Sequence, residues 1–274
     1  MTVWICRACG VEHADTAHPP ASCAICDDER QYVPKTGQAW TSLAGLAGAG
    51  TSLEIEELEP NLFGIRAEPQ VAIGQRAMLI RTTDGNLLWD PTGYVDDEGA
   101  RRVRDLGEVI AIVASHPHMY GSQVEWSRLL GGAPILVAAA DAAWVRRTDD
   151  AISTFTGDLD ILPSVTISTV GGHFPGSLVA RWRDGADGRA VLLAGDTFFP
   201  GPDGEWVTFM RSYPNAIPLS VAVVDRVAAA VISRPFDRAY GNLGGVVDAD
   251  ARAVVRRSAD RQMAWMRGDY DHLT

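Results

Sequence analysis

The chain has 274 residues, 46% hydrophobic and 22% charged, a globular composition long enough for one large core or two domains. Its 24 basic and 35 acidic side chains leave a net charge of −11, which argues against a non-specific nucleic-acid or anionic-membrane surface. No apolar run approaches the roughly 20 residues a bilayer requires. The first seven residues also lack the basic-then-apolar order of a signal peptide, so a cytoplasmic protein without nucleic-acid or membrane partners is expected.

The cysteines come first in the chain. All four, Cys6, Cys9, Cys23 and Cys26, lie within the first 26 residues, as C-x2-C, thirteen intervening residues, and a second C-x2-C. Disulfides of a secreted protein would be spread through its core. Two tight turns, each presenting two thiolates, instead suit one tetrahedral ion. About thirty residues cannot bury enough apolar surface to fold unaided, so the ion would supply much of the module's stability. The expected division is a four-cysteine module over residues 1–34 and a second domain over 35–274, with a Gly/Ala-rich connector at 35–50 holding one short helix.

Strand-like runs follow at 62–66 and 77–81, and Thr83-Asp84-Gly85-Asn86 reads as a hairpin turn into 87–89. The β-branched run 109–114 predicts a strand buried on both faces. Further strands are expected at 135–138, 165–170, 177–182 and 190–194. Helices are expected at 123–130, 139–147, 220–232 and 248–267, the last with Asp248 as its cap. The pattern is that of an α/β (α+β) domain.

Candidate chemistry sits at strand ends. Ser115-His116-Pro117-His118-Met119-Tyr120-Gly121 follows the strand 109–114, and two imidazoles at i and i+2 can be aimed at one point. His173, in Gly171-Gly172-His173-Phe174-Pro175-Gly176-Ser177, follows 165–170. Asp196 follows the apolar run 190–194, and Asp90 ends the strand 87–89. Ligand sites in open α/β sheets commonly gather at the carboxyl ends of strands.

These ordered motifs resemble those of the metallo-β-lactamase superfamily over roughly residues 50–245. The resemblance implies an αββα sandwich in which His116, His118 and His173 are the three histidines of the first metal site. It also implies that Asp196 is the aspartate that bridges two metals in dinuclear members. The superfamily usually reads His-x-His-x-Asp-His, whereas Tyr120 and Gly121 occupy the last two positions here. The final histidine, expected some forty residues after Asp196, is also missing, and the segment 235–241 offers Asp237, Arg238 and Tyr240 instead. Asn242-Leu243-Gly244-Gly245 reads as a turn.

The leading expectation is a hydrolase with a single catalytic Zn2+ or Fe2+ held by His116, His118, His173 and Asp196, acting on a small-molecule substrate. Tyr120 is a candidate general acid. Arg211, Tyr213 and Asn215, in the aromatic and polar stretch 206–215, are candidate substrate contacts. Two other readings stand beside it. One is mononuclear non-haem iron redox chemistry resembling that of persulfide dioxygenases; the other is a non-catalytic binding protein on the same fold. The N-terminal module resembles the rubredoxin-type domain of rubrerythrins and equally a zinc ribbon, so zinc is favoured there and iron is possible. Oligomeric state is left open.

Overall fold

Alternating and β-branched runs become two mixed sheets, one in each half of the chain. The computed structural model describes residues 2–274, and its internal contacts divide the chain into two units, one ending at Thr156 and one spanning Gly157–Thr274.

The first unit opens with β1 (Thr2–Cys6), β2 (Glu12–Thr16), the one-turn helix α1 (Ala24–Asp27), β3 (Trp40–Thr41) and α2 (Leu43–Gly48). β1 lies between β2 and β3 in a small antiparallel sheet. Gly10 N–H donates to the Cys6 carbonyl and Cys6 N–H to that of Val11, which closes the first C-x2-C turn. The connector 35–50 holds its one short helix, α2, capped by the Ser42 hydroxyl accepting from Gly45 N–H.

Seven strands follow: β4 (Ser52–Glu59), β5 (Leu62–Glu68), β6 (Ala77–Thr82), β7 (Gly85–Trp89), β8 (Val109–Val113), β9 (Ile135–Ala138) and β10 (Ile152–Phe155). They form one sheet in the order β10-β9-β8-β7-β6-β5-β4. β4 to β7 pair antiparallel and β7 to β10 pair parallel. β4 was not expected from the sequence. Its glutamates at 54, 56, 57 and 59 mask a strand pattern, and they suit the sheet edge that β4 occupies.

Helix α3 (Asp97–Asp105) is capped by the Asp96 carboxylate, which accepts from Gly99 N–H, and α4 (Gln123–Leu129) follows the histidine loop. The helix predicted over 139–147 is instead a 3-10 helix at Ala139–Trp144. The chain must turn quickly from β9 into the parallel β10, and the Asp141 carbonyl accepts from the Tyr120 hydroxyl. The core of this unit is continuous: Cys6, Val11 and Ile25 of the cysteine module are buried in one cluster with Ile65, Leu88, Ile112 and Trp126.

The second unit begins with β11 (Asp158–Leu162), β12 (Val165–Thr169), β13 (Leu178–Trp182) and β14 (Val191–Leu193). Two short ribbons follow, β15 (Phe199–Pro200) with β16 (Val207–Thr208) and β17 (Met210–Ser212) with β18 (Ile217–Pro218). After helix α5 (Val221–Ile232) come β19 (Arg238–Tyr240), β20 (Val246–Val247) and helix α6 (Ala251–Met266). The main sheet runs β11-β12-β13-β14-β19-β20, with β14 and β19 parallel. α5 and α6 pack on each other, and Val224, Val227, Val254 and Val255 share a core with Leu192 and Phe209.

Asp248 does not cap α6. The helix starts after Asp250, whose φ of +52° and lack of a side-chain cap reflect a turn that brings Ala251 N–H to the Asp237 carbonyl. Among the described residues no helix is long and apolar enough to cross a membrane.

Candidate metal centres

The cysteine cluster is built from two turns that face each other. Cys6 and Cys9 flank the turn after β1, and Cys23 and Cys26 flank the start of α1. Their sulfurs all lie within 4.8 Å of one another, with Cys6 to Cys26 at 3.6 Å and Cys9 to Cys23 at 3.8 Å. Disulfide sulfurs would be about 2.05 Å apart. A tetrahedral ion with bonds of about 2.3 Å sets its sulfurs about 3.8 Å apart along each edge, so the four side chains fit such an ion.

The thiols cannot all ionise side by side. Hydrogen bonding to Cys23, together with burial, raises the Cys9 and Cys26 thiols above their ordinary value. Hydrogen bonds led by that from Cys26 lower Cys23, and a dication among the four would favour all of them as thiolates. Two side chains outside the cysteine pattern reach the sulfurs. Gln38 Nε2 donates to Cys6 Sγ at 3.1 Å, and buried His13, edge-on to Trp40, places Nε2 3.5 Å from Cys23 Sγ. The sequence did not single them out, because nothing in the C-x2-C spacing marks which neighbours contact sulfur.

The first unit also carries the His-x-His loop, at the carboxyl ends of parallel strands. β7 ends in buried Asp90, whose Oδ1 accepts from Ser115 N–H at 2.6 Å and fixes the start of the loop leaving β8. His116 and His118 are both buried, with ring centroids 5.0 Å apart. His116 Nδ1 engages the Ser115 hydroxyl at 2.9 Å, which orients the ring and turns Nε2 away from Ser115.

Tyr120 lies in the core of this unit with its hydroxyl donating to the Asp141 carbonyl at 3.1 Å. Burial pushes its phenol well above the ordinary value, so at neutral pH it holds its proton tightly. Gly121 has φ of +51°, and a β-carbon there would strike the Pro91 and Thr92 carbonyl oxygens.

In the second unit, His173 follows β12 and sits on the adjacent glycines Gly171 and Gly172. A β-carbon on Gly172 would press on Val227 of α5 at 2.9 Å, so a bare backbone lets the loop lie against that helix. His173 is fully buried, and its Nδ1 faces the Met210 carbonyl at 3.1 Å. That contact sets Nδ1–H as donor and turns Nε2 toward Asp196 Oδ2, 3.8 Å away.

Asp196 leaves β14, and Asn242 leaves its parallel neighbour β19. The buried Asn242 side-chain amide donates to Asp196 Oδ1 at 2.9 Å. The sequence predicts a turn at 242–245. The signal for Asn242 is a short strand at 238–240 followed by Gly-Asn, matching the Gly-Asp that follows the strand before Asp196.

Of the expected substrate contacts, Tyr213 lies beside the Asp196–His173 pair. Its hydroxyl donates to the Asp196 and Thr208 carbonyls, and its ring centroid is 5.9 Å from that of His173. Burial and the nearby Asp196 carboxylate raise the Tyr213 phenol well above its ordinary value. Arg211 lines a cleft of about 690 Å³ with Gly171, Leu219 and Arg226. Asn215 is exposed in the ribbon turn, where its N–H donates to the Ser212 hydroxyl.

With this geometry established, comparison with known proteins gives the family. Over 274 residues the chain is 40% identical to the uncharacterized protein YmaE of Bacillus subtilis (strain 168), covering 99% of this chain and all of the relative. The chain belongs to the YmaE family. No family model matches it.

Among solved structures it resembles the metallo-β-lactamase DIM-1 at 13% identity, with a TM-score of 0.58 over 77% of this chain and 99% of the other. FIM-1 from Pseudomonas aeruginosa, in its mono-zinc form, aligns at 12% identity with a TM-score of 0.57, covering 77% and 96%. A subclass B3 enzyme with an active-site glutamic acid aligns at 16% identity with a TM-score of 0.54, covering 83% and 96%. The fold of the chain is therefore that of the metallo-β-lactamases, as the sequence motifs implied, and the N-terminal cysteines cluster as in a zinc ribbon.

Proposed function

We propose that the chain is a metal-dependent hydrolase with one catalytic ion, held by His116, His118, His173 and Asp196. The observation that supports a single ion is that the superfamily's second-site positions are closed while the first-site donors are kept and buried. Gly121 is jammed against the Pro91 and Thr92 carbonyls, and the phenol of Tyr120 is turned to Asp141. Within the second unit, Asn242 takes the Asp196 oxygen that a second ion would need.

Three imidazoles and one carboxylate suit Zn2+ and also Fe2+. Zinc is our reading, and FIM-1 has been described in a mono-zinc form. Such an ion supplies Lewis acidity and acidifies a water at neutral pH. The chain's own groups prepare that chemistry: Ser115 orients the His116 ring, the Met210 carbonyl fixes the tautomer of His173, and Asn242 orients Asp196. Tyr213, Arg211 and Asn215 are the proposed contacts of a small-molecule substrate. In the cytoplasm the four-cysteine ion would be a structural zinc.

An iron centre in either site is the second reading. Gln38 and His13 favour it at the cysteines, because N–H donors to thiolate sulfur tune iron–thiolate potentials.

Metal analysis of purified chain, with His116→Ala, Asp196→Ala and Cys9→Ser variants, tests these readings together with a panel of esters, thioesters and lactams. We expect two ions per chain, one lost in each class of variant, and hydrolysis that disappears with His116. A single ion confined to the cysteines would leave a binding protein. Visible colour with ferric resonance signals would replace zinc by iron.

A further inference from the structure

The cysteine module meets the end of the histidine loop at a buried acidic residue. Glu12, the first residue of β2 and three positions after Cys9, is almost wholly buried. Its N–H donates to the Gly121 carbonyl at 3.0 Å, and its carboxylate Oε1 accepts from Val124 N–H at 2.5 Å. Val124 stands in the first turn of α4, whose own N-cap residue Ser122 makes no side-chain cap. Glu12 therefore caps α4 from another part of the chain.

The other carboxylate oxygen binds Arg147 at 2.6 Å, and Arg147 binds Glu125 of α4 at 2.6 Å. A second contact runs alongside. Gly10 packs on Gly93, whose carbonyl accepts from the Ser122 hydroxyl at 2.9 Å. Residues 121–125 thus receive two backbone-directed bonds and one ion-pair relay from the module. They begin three residues after His118.

We propose that Glu12 is a positioning residue through which the four-cysteine module sets the loop that carries His116 and His118. Cys6, Cys9, Cys23 and Cys26 would hold an ion that braces the turn Cys6–Cys9; that turn sets Glu12, and Glu12 fixes the far end of the loop. The proposal rests on reading His116 and His118 as ligands. Groups that hold metal ligands in place typically govern metal affinity by about 10- to 100-fold.

The test compares wild type, Glu12→Ala and Glu12→Gln after cobalt loading. Thiolate charge-transfer bands report the cysteine site, and weaker d–d bands report the histidine site. Amide exchange of residues 115–124 is followed in parallel and needs no ion at the histidines. Glu12→Ala should keep the thiolate bands, lose about tenfold or more in affinity for the second cobalt, and exchange its 115–124 amides about tenfold faster. Glu12→Gln still offers Val124 an acceptor oxygen and should restore both readouts to within about threefold of wild type.

Glu12→Ala indistinguishable from wild type overturns the proposal. So does Glu12→Gln as impaired as Glu12→Ala, since the Arg147 pairing alone would then explain the effect. Should Glu12→Ala not fold, a folded Glu12→Gln that loses the second ion is the overturning result. Wild type that takes up no second cobalt refutes the hydrolase reading instead, and the exchange comparison still decides the role of Glu12.

Discussion

The Asn242 side-chain amide donates to Asp196 Oδ1 at 2.9 Å, and the parallel strands β14 and β19 deliver the two residues side by side beyond their carboxyl ends. One carboxylate oxygen is thereby held by the protein, leaving Oδ2 to face His173. On the proposed hydrolase reading, Asn242→Ala should weaken metal binding at Asp196 by about 10- to 100-fold in competition with a chromophoric chelator. Asn242→Asp should be at least as damaging, because two adjacent carboxylates share a proton at neutral pH. Affinities within twofold of wild type in both variants would make the contact incidental.

Gly121→His restores the residue type that the superfamily carries there, yet it should not create a second metal site. With φ of +51° and carbonyl oxygens where a β-carbon would go, the backbone must shift to admit any side chain. We expect a loss of about 2 kcal/mol or more in urea unfolding, and no increase in bound metal. Extra zinc in a variant of unchanged stability would contradict this.

The pH dependence of stability carries a signature of Glu12. Burial raises its carboxyl from 4.5 to about 7, against the opposing Val124 N–H and Arg147 guanidinium. A carboxyl raised on folding binds its proton more tightly in the folded chain than in the unfolded one. Its contribution is then fully present below about pH 4.5 and is lost as pH rises to about 7. The difference in unfolding free energy between wild type and Glu12→Gln should therefore drift against wild type by up to about 3 kcal/mol between pH 5 and 8. A difference that is flat across this range would place the Glu12 charge in both states alike.

Tyr120→Phe removes one buried hydroxyl and leaves the Asp141 carbonyl without that donor. The expected cost is about 1 kcal/mol of stability, with metal content and hydrolytic rate nearly unchanged. A rate loss of 100-fold or more at full metal occupancy would instead assign the phenol to proton transfer.

The parts of the fold that were legible in the sequence are those written in local patterns. The run 109–114 announces β8 because a strand covered on both faces must be apolar throughout, and the thiol spacing announces the cluster because two turns must meet. The His-x-His, Gly-His and Gly-Asp motifs stood out because each follows such a strand. Glu12, His13 and Gln38 carried no comparable mark. Their roles depend on partners 10 to 135 residues away, and a polar residue bound at long range looks like a surface residue in sequence. β4 escaped notice because an edge strand tolerates glutamates, and 139–147 misled because helix propensity gives way where a carbonyl is engaged from outside the segment.

The Glu12–Arg147 ion pair joins residues 135 positions apart. On a ribosome the N-terminal turns can gather their ion as soon as Cys26 has emerged, but their docking surface does not exist until Arg147 follows. A cysteine cluster that took up an ion at that stage would wait through more than a hundred further residues of synthesis before this pairing could form. In that interval Gln38 and His13, both encoded before residue 40, are the sulfur contacts beyond the cysteines that are already available.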